Sequence, residues 1–296
     1  MRHNPQICVV GSINMDLMIE TTKMPQQGET VLGQSFAFYP GGKGANQAVA
    51  AARLGANVHM IGAVGKDEFG ASLVDHLRTE GIHTQGILMS DQKSTGVANI
   101  ILSEEDNRII VAPGANYAVV PEMIDKHEEI IRSSDIILLQ LEIPLQTVLY
   151  TVKKAQQFNI PVVVNPAPYQ QLPEELVRNV TYVTPNKIEA AAMKEEAYFA
   201  AIKEKLVITL GKEGVVYYNN NTATRVKSFK VDVKDTTGAG DTFNGALVTK
   251  LAQGEPLSDA IPFANAAAAL SIMKTGAQEG MPTLDEVNKF IIERNG

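Results

Sequence analysis

Short, almost wholly apolar runs alternate with longer amphipathic stretches along most of this chain, and few architectures accept that pattern. Ile7–Val10, Val58–Val64, Ile136–Leu141, Val162–Val164, Tyr182–Thr184 and Leu206–Thr209 read as strands with no polar face. Between them Ala45–Leu54, Gly70–Glu80, Pro121–Ser133, Leu145–Asn159 and Pro173–Arg178 carry helical patterning. A strand that is apolar on both sides needs cover on both sides, and the intervening helices supply it. The expectation is an α/β fold, a three-layer sandwich around a central, mostly parallel sheet. A length of 296 residues fits one such domain, 1–296.

Two stretches break the alternation. Ile13–Phe38 is punctuated by Pro25, Gly28 and Gly33, with β-type pieces at Met15–Thr21, Thr30–Val31 and Phe36–Phe38. Gly96–Leu102 and Arg108–Ala112 flank the polar Ser103–Asn107 as a hairpin. Neither piece can bury a core alone, so insertions at about 13–38 and 96–112 are expected to form a small β-sheet lid. Later, Val215–Asn219 and Thr224–Val226 read as a second hairpin, and Val231–Val233 is strand-like. Helices are expected at Gly240–Gln253, Ser258–Lys274 and Thr283–Arg294.

Charge and cysteine usage narrow the class. Lys+Arg number 26 against 33 Asp+Glu, a net charge of −7, which argues against a nucleic-acid binder. No apolar stretch reaches the ~20 residues of a membrane span, and the N-terminal run Ile7–Val10 is too short for a signal peptide. The single cysteine, Cys8, reads as a small buried hydrophobe, so the expected compartment is the cytoplasm. The five histidines, His3, His59, His76, His83 and His127, have no metal-ligand spacing and read as surface or satisfied core residues.

Ligands of open α/β sheets bind beyond the C-terminal strand ends. Here those ends are polar: Gly11-Ser12-Ile13-Asn14-Met15-Asp16, Glu142, Asn165-Pro166, Pro185-Asn186 and Thr209-Leu210-Gly211. Two glycine motifs sharpen the picture. Gly41-Gly42-Lys43-Gly44-Ala45-Asn46 leads into a helix, where Lys43 and Asn46 can serve hydroxyls. Asp235-Thr236-Thr237-Gly238-Ala239-Gly240-Asp241 precedes another helix, and the amides of Gly238, Ala239 and Gly240 there make an anion site. Asp241 is either an N-cap or a general base beside a phosphoryl group. No G-x-x-x-x-G-K-[ST] loop and no complete G-x-G-x-x-G occurs, which disfavours Walker NTPases and Rossmann dehydrogenases.

With these residues in hand the chain resembles the PfkB carbohydrate kinase family over nearly its whole length. Gly41–Gly65 is similar to the first family signature and Asp235–Val248 to the second. A narrower likeness to the ribokinase branch rests on Gly11–Asp16, Gly41–Ala48, Pro113–Asn116, Gln140–Glu142, Asn165–Pro168 and Gly276–Gln278. The resemblance implies a ribokinase-like fold and transfer of the ATP γ-phosphoryl group to a sugar hydroxymethyl, D-ribose O5 first among the substrates. Other family sugars (2-deoxyribose, fructose, ketodeoxygluconate) and nucleosides are rivals, and a non-catalytic sugar-binding protein is the alternative of a different class. It implies that Asn14, Asp16, Gly42, Lys43, Asn46 and Glu142 hold the sugar, with Asp241 as base and Gly238, Ala239 and Gly240 as the anion hole. It implies ATP contacts from Asn186, Thr209, Gly211, Lys212, Gly214, Gly240 and Asn265. Glu189 would organise Mg²⁺ through water. A K⁺ or similar ion would sit in a loop of Asp235, Thr237, Ser271, Lys274, Gly276 and Gly280. A homodimer through the lid is also implied. Three features depart from the family pattern: Lys187 stands where Glu is usual, the segment between Asn186 and Thr209 is short, and Gly280 replaces a frequent serine.

Overall fold

The computed structural model describes residues 4–103 and 106–295; His3 and positions 104–105 of the expected hairpin lie outside them. In chain order the elements are β1 (Gln6–Val10), β2 (Asn14–Thr21), β3 (Ser35–Gly41), α1 (Lys43–Arg53), β4 (Asn57–Gly65), α2 (Glu68–Thr79) and β5 (His83–Ser90). There follow β6 (Gly96–Ser103), β7 (Asp106–Ala112), α3 (Pro121–Lys126), α4 (Glu128–Arg132), β8 (Ile136–Leu139), α5 (Leu145–Gln157), β9 (Val162–Val164), α6 (Glu174–Asn179), β10 (Tyr182–Val183) and α7 (Lys187–Met193). The last part comprises β11 (Val207–Thr209), β12 (Val215–Asn219), β13 (Thr222–Val226), α8 (Ala239–Ala252), α9 (Leu257–Ser271) and α10 (Leu284–Asn295).

Six strands pair in parallel in the order β10-β9-β8-β1-β4-β5. Side chains alternate across a strand, and β1 shows why it had to be apolar throughout. Ile7 and Val9 pack with Ala48 and Val49 of α1 and Leu73 of α2, whereas Cys8 and Val10 pack with Val148 and Val152 of α5 and Leu176 of α6. These are the three layers. An antiparallel sheet β11-β12-β13 adjoins β10 through two isolated parallel bridges, Val183–Leu206 and Asn186–Thr209. The shortened segment before Thr209 thus joins the sheet by single bridges in place of a full ladder. The lid is a separate four-stranded sheet, β3-β2-β6-β7, as expected from the two insertions.

Several expectations need correction. Val231–Val233 forms no strand; its apolar residues line a cavity instead of pairing in a sheet. Thr30–Val31 is coil, with Thr30 exposed and Val31 half-buried. The helix expected at Pro121–Ser133 breaks at His127, and Lys154 of α5 binds both sides of the break, Asp125 at 2.6 Å and Glu128 at 2.9 Å. Strand β5 was not expected: it is a half-exposed edge strand, apolar only at Ile87, Leu88 and Met89, after the polar His83, Thr84 and Gln85 and Gly86.

The placement of α8 decides the site. Gly245 faces α1 so closely that a Cβ there would lie 2.6 Å from Ala50 Cβ and 2.8 Å from the Gln47 carbonyl oxygen. This close approach sets the first turn of α8, with Asp241, against the first turn of α1, with Asn46 and Gln47.

Candidate active site

The strand ends, the lid and two helix N-termini converge on one acidic hollow. Strand β2 of the lid brings Asn14 and Asp16. Gly41, paired with Asn14 on β3, leaves room for the Asp16 carboxylate, which a Cβ would meet at 2.3 Å. Gly42, at φ 89, turns the chain into α1. There the Lys43 amide donates to Glu142 Oε2 (3.1 Å), which also accepts from Ser12 Oγ (2.5 Å). Asn116 locks Asn14 by donating to its Oδ1 (2.6 Å) while accepting from the Ile13 amide (2.9 Å).

Asp241 is not the N-cap of α8. That position belongs to Gly238, in the left-handed conformation, where a Cβ would lie 2.9 Å from Ala277 Cα. Asp241 is the third helical residue, buried, and its oxygens accept from side chains of α1: Oδ1 from Gln47 Nε2 (2.9 Å) and Oδ2 from Asn46 Nδ2 (3.0 Å). The amides of that first turn lack intrahelical partners by geometry. Among them the Ala239 N–H already turns toward the Thr236 carbonyl (3.3 Å).

The charges interact strongly. Burial, then the carboxylates of Glu142 and Asp241, push Asp16 up to about 7, with Lys43 opposing. Burial works to lower the Lys43 ammonium, but Asp241, Glu142, Glu189 and Asp16 hold it above its ordinary value. Beside this hollow lies a cavity of about 660 Å³ lined by Thr209, Gly211, Lys212, Gly214, Gly240 and Asn265. Val231, Val233, Phe243, Ala268 and Ile272 give it apolar walls. Asn186 is not on that wall; it caps α7, accepting from the Ile188 and Glu189 amides.

Residues 4–284 match the model of the pfkB family carbohydrate kinases. The chain belongs to that family. The kinase is 45% identical over 289 residues to a ribokinase of Bacillus subtilis, covering 96% of this chain and 99% of the relative. It is 32% identical over 300 residues to a deoxyribokinase of Salmonella typhi, covering 96% and 98%. A solved Arabidopsis thaliana ribokinase complexed with ribose and ATP superposes with a TM-score of 0.90 at 30% identity, covering 98% and 99% of the two chains.

Two cations implied by the family can be tested against the residues of this kinase. The Asp235 carboxylate accepts from the Thr237 and Gly276 amides (both 2.9 Å); burial works to raise it, yet the Thr237 side chain, ahead of these two amides, holds it below its usual range. A Cβ on Gly280 would meet the main-chain oxygens of Ser271 at 2.2 Å and Gly276 at 3.1 Å. An ionised carboxylate beside converging carbonyls is an oxygen-only donor set, which fits a hard cation. The glycine explains itself: a serine there would displace the Ser271 carbonyl. The Lys274 side chain points away, toward Glu286 (3.4 Å). For Mg²⁺, Glu189 is buried near Lys43, and its Oε2 accepts from the Asn186 amide (2.8 Å). Among the described residues no group of three or more His, Cys, Asp or Glu could hold a metal. One carboxylate fits an ion that arrives with phosphates and keeps its waters.

The expected sugar residues therefore come together, and so do the ATP residues, with Asn186 behind the cavity wall at its bridge to Thr209. Sequence reasoning missed Gln47 as a partner of Asp241, although it directly follows the first glycine motif. His76 is half-buried, and its Nε2 is satisfied by Gln278 Oε1 (2.7 Å). His59 is not satisfied: its Nδ1 has no partner among the described residues.

Proposed function

We propose that this kinase transfers the γ-phosphoryl group of ATP to O5 of D-ribose, giving D-ribose 5-phosphate and ADP. One observation carries the reading: Gly240 lines the apolar-walled cavity, and its neighbour Asp241 faces the acidic hollow. Adjacent residues of one helix turn thus join a nucleotide-sized space to a polyhydroxyl-sized one. Asp16, Glu142, Asn14, Asn46 and Lys43, with the Gly42 backbone, hold the sugar hydroxyls. Asp241 accepts the O5 proton as the phosphoryl group moves, while the Gly238, Ala239 and Gly240 amides stabilise charge developing on it. Mg²⁺, when bound, neutralises phosphate charge, and Glu189 would hold it through water. Asn186 supports the same corner by capping α7. The solved relative's ribose and ATP, and the ribokinase relatives, support the assignment.

Asp16 accepts hydrogen bonds best from adjacent hydroxyls, and a site built for a hydroxyl discriminates against its absence. An ADP-release assay over pentoses, hexoses and nucleosides is expected to show ribose preferred over 2-deoxyribose by about tenfold or more in kcat/KM. Equal use of the two sugars would overturn the ribose assignment, and no ADP release with any sugar would overturn the catalytic one.

The Asp235 loop adjoins Gly238 through Ala277, so an ion there acts on the loop's shape and field without touching ATP. K⁺ is expected to raise the rate severalfold over a buffer of bulky organic cations at constant Mg²⁺; equal rates would count against the ion site.

The lid leaves Phe36, Phe38, Ile109, Ile110 and Val111 exposed, Ile110 by 66%. A second copy of this chain over the lid would cover them, hence a homodimer. No helix among the described residues is long and apolar enough to cross a membrane. Buried Cys8, a free thiol, supports a cytoplasmic place.

A further inference from the structure

The torsion that rotates an aspartate carboxylate is soft, with broad rather than sharp minima. A general base, however, must aim one lone pair at its proton. In this chain two separate amide chains grip the two oxygens of Asp241, and each chain is oriented at its far end.

On one side, Asn165 Nδ2 donates to the Thr184 carbonyl (3.0 Å), which turns its Oδ1 toward Gln47 Nε2 (3.1 Å). Gln140 Nε2 donates to Gln47 Oε1 (2.7 Å). Gln47 therefore presents only N–H to Asp241 Oδ1 (2.9 Å). A flipped Gln47 would set its carbonyl against two acceptor oxygens and its amino group against another donor. Gln140 reaches this orientation with its own Oε1 buried against Gly11 and without a partner among the described residues. An apolar side chain would fill that space without such an orphan.

On the other side, Gln278 Nε2 donates to Asn46 Oδ1 (2.8 Å), and Asn46 Nδ2 donates to Asp241 Oδ2 (3.0 Å). Because its amide nitrogen is committed, Gln278 offers Oε1 to His76 Nε2, which carries the proton in that contact (2.7 Å). Gln278 belongs to the C-terminal loop, outside the sheet.

We propose that Gln47 and Gln278 are positioning residues for phosphoryl transfer: together, Gln47 directly and Gln278 through Asn46, they fix the plane of the Asp241 carboxylate and so the direction of its proton-accepting lone pair. This rests on the reading of Asp241 as the base.

Gln47→Glu keeps shape and the bond from Gln140 but sets a second carboxylate against Asp241. Like charges in contact make one of the pair hold a proton to higher pH. With that proton on the introduced carboxyl group, the bond to Asp241 Oδ1 returns. Lys43, Asp16, Glu142 and Glu189 share this field and are unchanged in the variant. The variant is expected to lose about 10²-fold in kcat at pH 8, with KM for ATP unchanged, and to recover part of it toward pH 6, displacing its optimum to lower pH than the parent's. Gln278→Met, which frees Asn46 to rotate, is expected to lower kcat about tenfold with the KM for ATP unchanged and a modest fall in melting temperature from the lost bonds to Asn46 and His76. Parental turnover and pH profile in Gln47→Glu, or a loss equal at every pH, would overturn the proposal. If Gln47→Glu does not fold, Gln278→Met decides alone, and parental kcat there overturns it. Asp241→Asn separates the two layers of argument. Near-parental turnover in Asp241→Asn removes the base and this proposal together, whereas its loss alongside parental Gln47→Glu and Gln278→Met removes this proposal only.

Discussion

Asp241→Asn is expected to lower kcat by roughly 10²- to 10⁴-fold, the range general-base assistance commonly contributes, while the ATP affinity and the fold persist. The carboxylate is buried at the first turn of α8, between donors from Asn46 and Gln47. A carboxamide occupies the same space but cannot take the O5 proton at neutral pH. It also turns its amino group toward one of those two donors, so a small fall in melting temperature is expected alongside. A role as helix cap is excluded by position, since Gly238 holds the cap. The competing account is structural: Asp241 only satisfies Asn46 and Gln47. That account predicts a marked stability loss of about 1–3 kcal/mol with near-parental turnover. Measuring the melting temperature and kcat of the same variant separates the two.

Asp16→Ala is expected to cost roughly 2–4 kcal/mol in kcat/KM for ribose, since buried hydrogen bonds from two hydroxyls to a charged acceptor are lost. The same residue makes sugar use depend on pH. Burial beside Glu142 and Asp241 pushes Asp16 up to about 7, and the ionised form is the better acceptor. The kcat/KM for ribose is therefore expected to rise with pH through about 7. Stability follows the opposite sign. The folded protein keeps this proton to higher pH than the unfolded chain does, whose aspartate titrates at about 3.9. Between that value and about 7 the ligand-free protein loses stability as the pH rises. Asp16→Asn, with no charge to bury, is expected to melt a few degrees higher than the parent at pH 8. A lower melting temperature for it, or a flat pH dependence of kcat/KM in the parent, would contradict this account.

The layers and the lid were legible in the sequence because their patterns are local. Strand β1 is apolar on both faces since helices cover both, and the interruption at Ile13–Phe38 is itself a signal. Strand β5 was not legible because only its second half is apolar, at Ile87, Leu88 and Met89, as a half-exposed edge strand allows. Val231–Val233 misled for a physical reason: its alternation serves the wall of the nucleotide-sized cavity, and nothing in the spacing separates that from a strand. The second glycine motif fixed the location of Asp241, but not its partners. Asn46 lies 195 positions away from Asp241, and Gln278 lies 232 positions from Asn46. Hydrogen bonds across such separations leave no periodicity to read. The raised proton affinity of Asp16 is likewise a property of three elements brought together, and no one of them contains it.

Gly245 stands in the middle of a helix, where alanine would ordinarily be preferred by about 1 kcal/mol. Its contact with Ala50 makes it a hinge pin between binding and chemistry: the spacing of two helices, set one turn away from the reacting atoms, doubles as the gauge that holds base to sugar. Selection for a sturdier helix α8 and selection for turnover therefore pull this position in opposite directions. A thermostable descendant of this enzyme would have to find its added stability elsewhere, on surfaces that do not measure that distance.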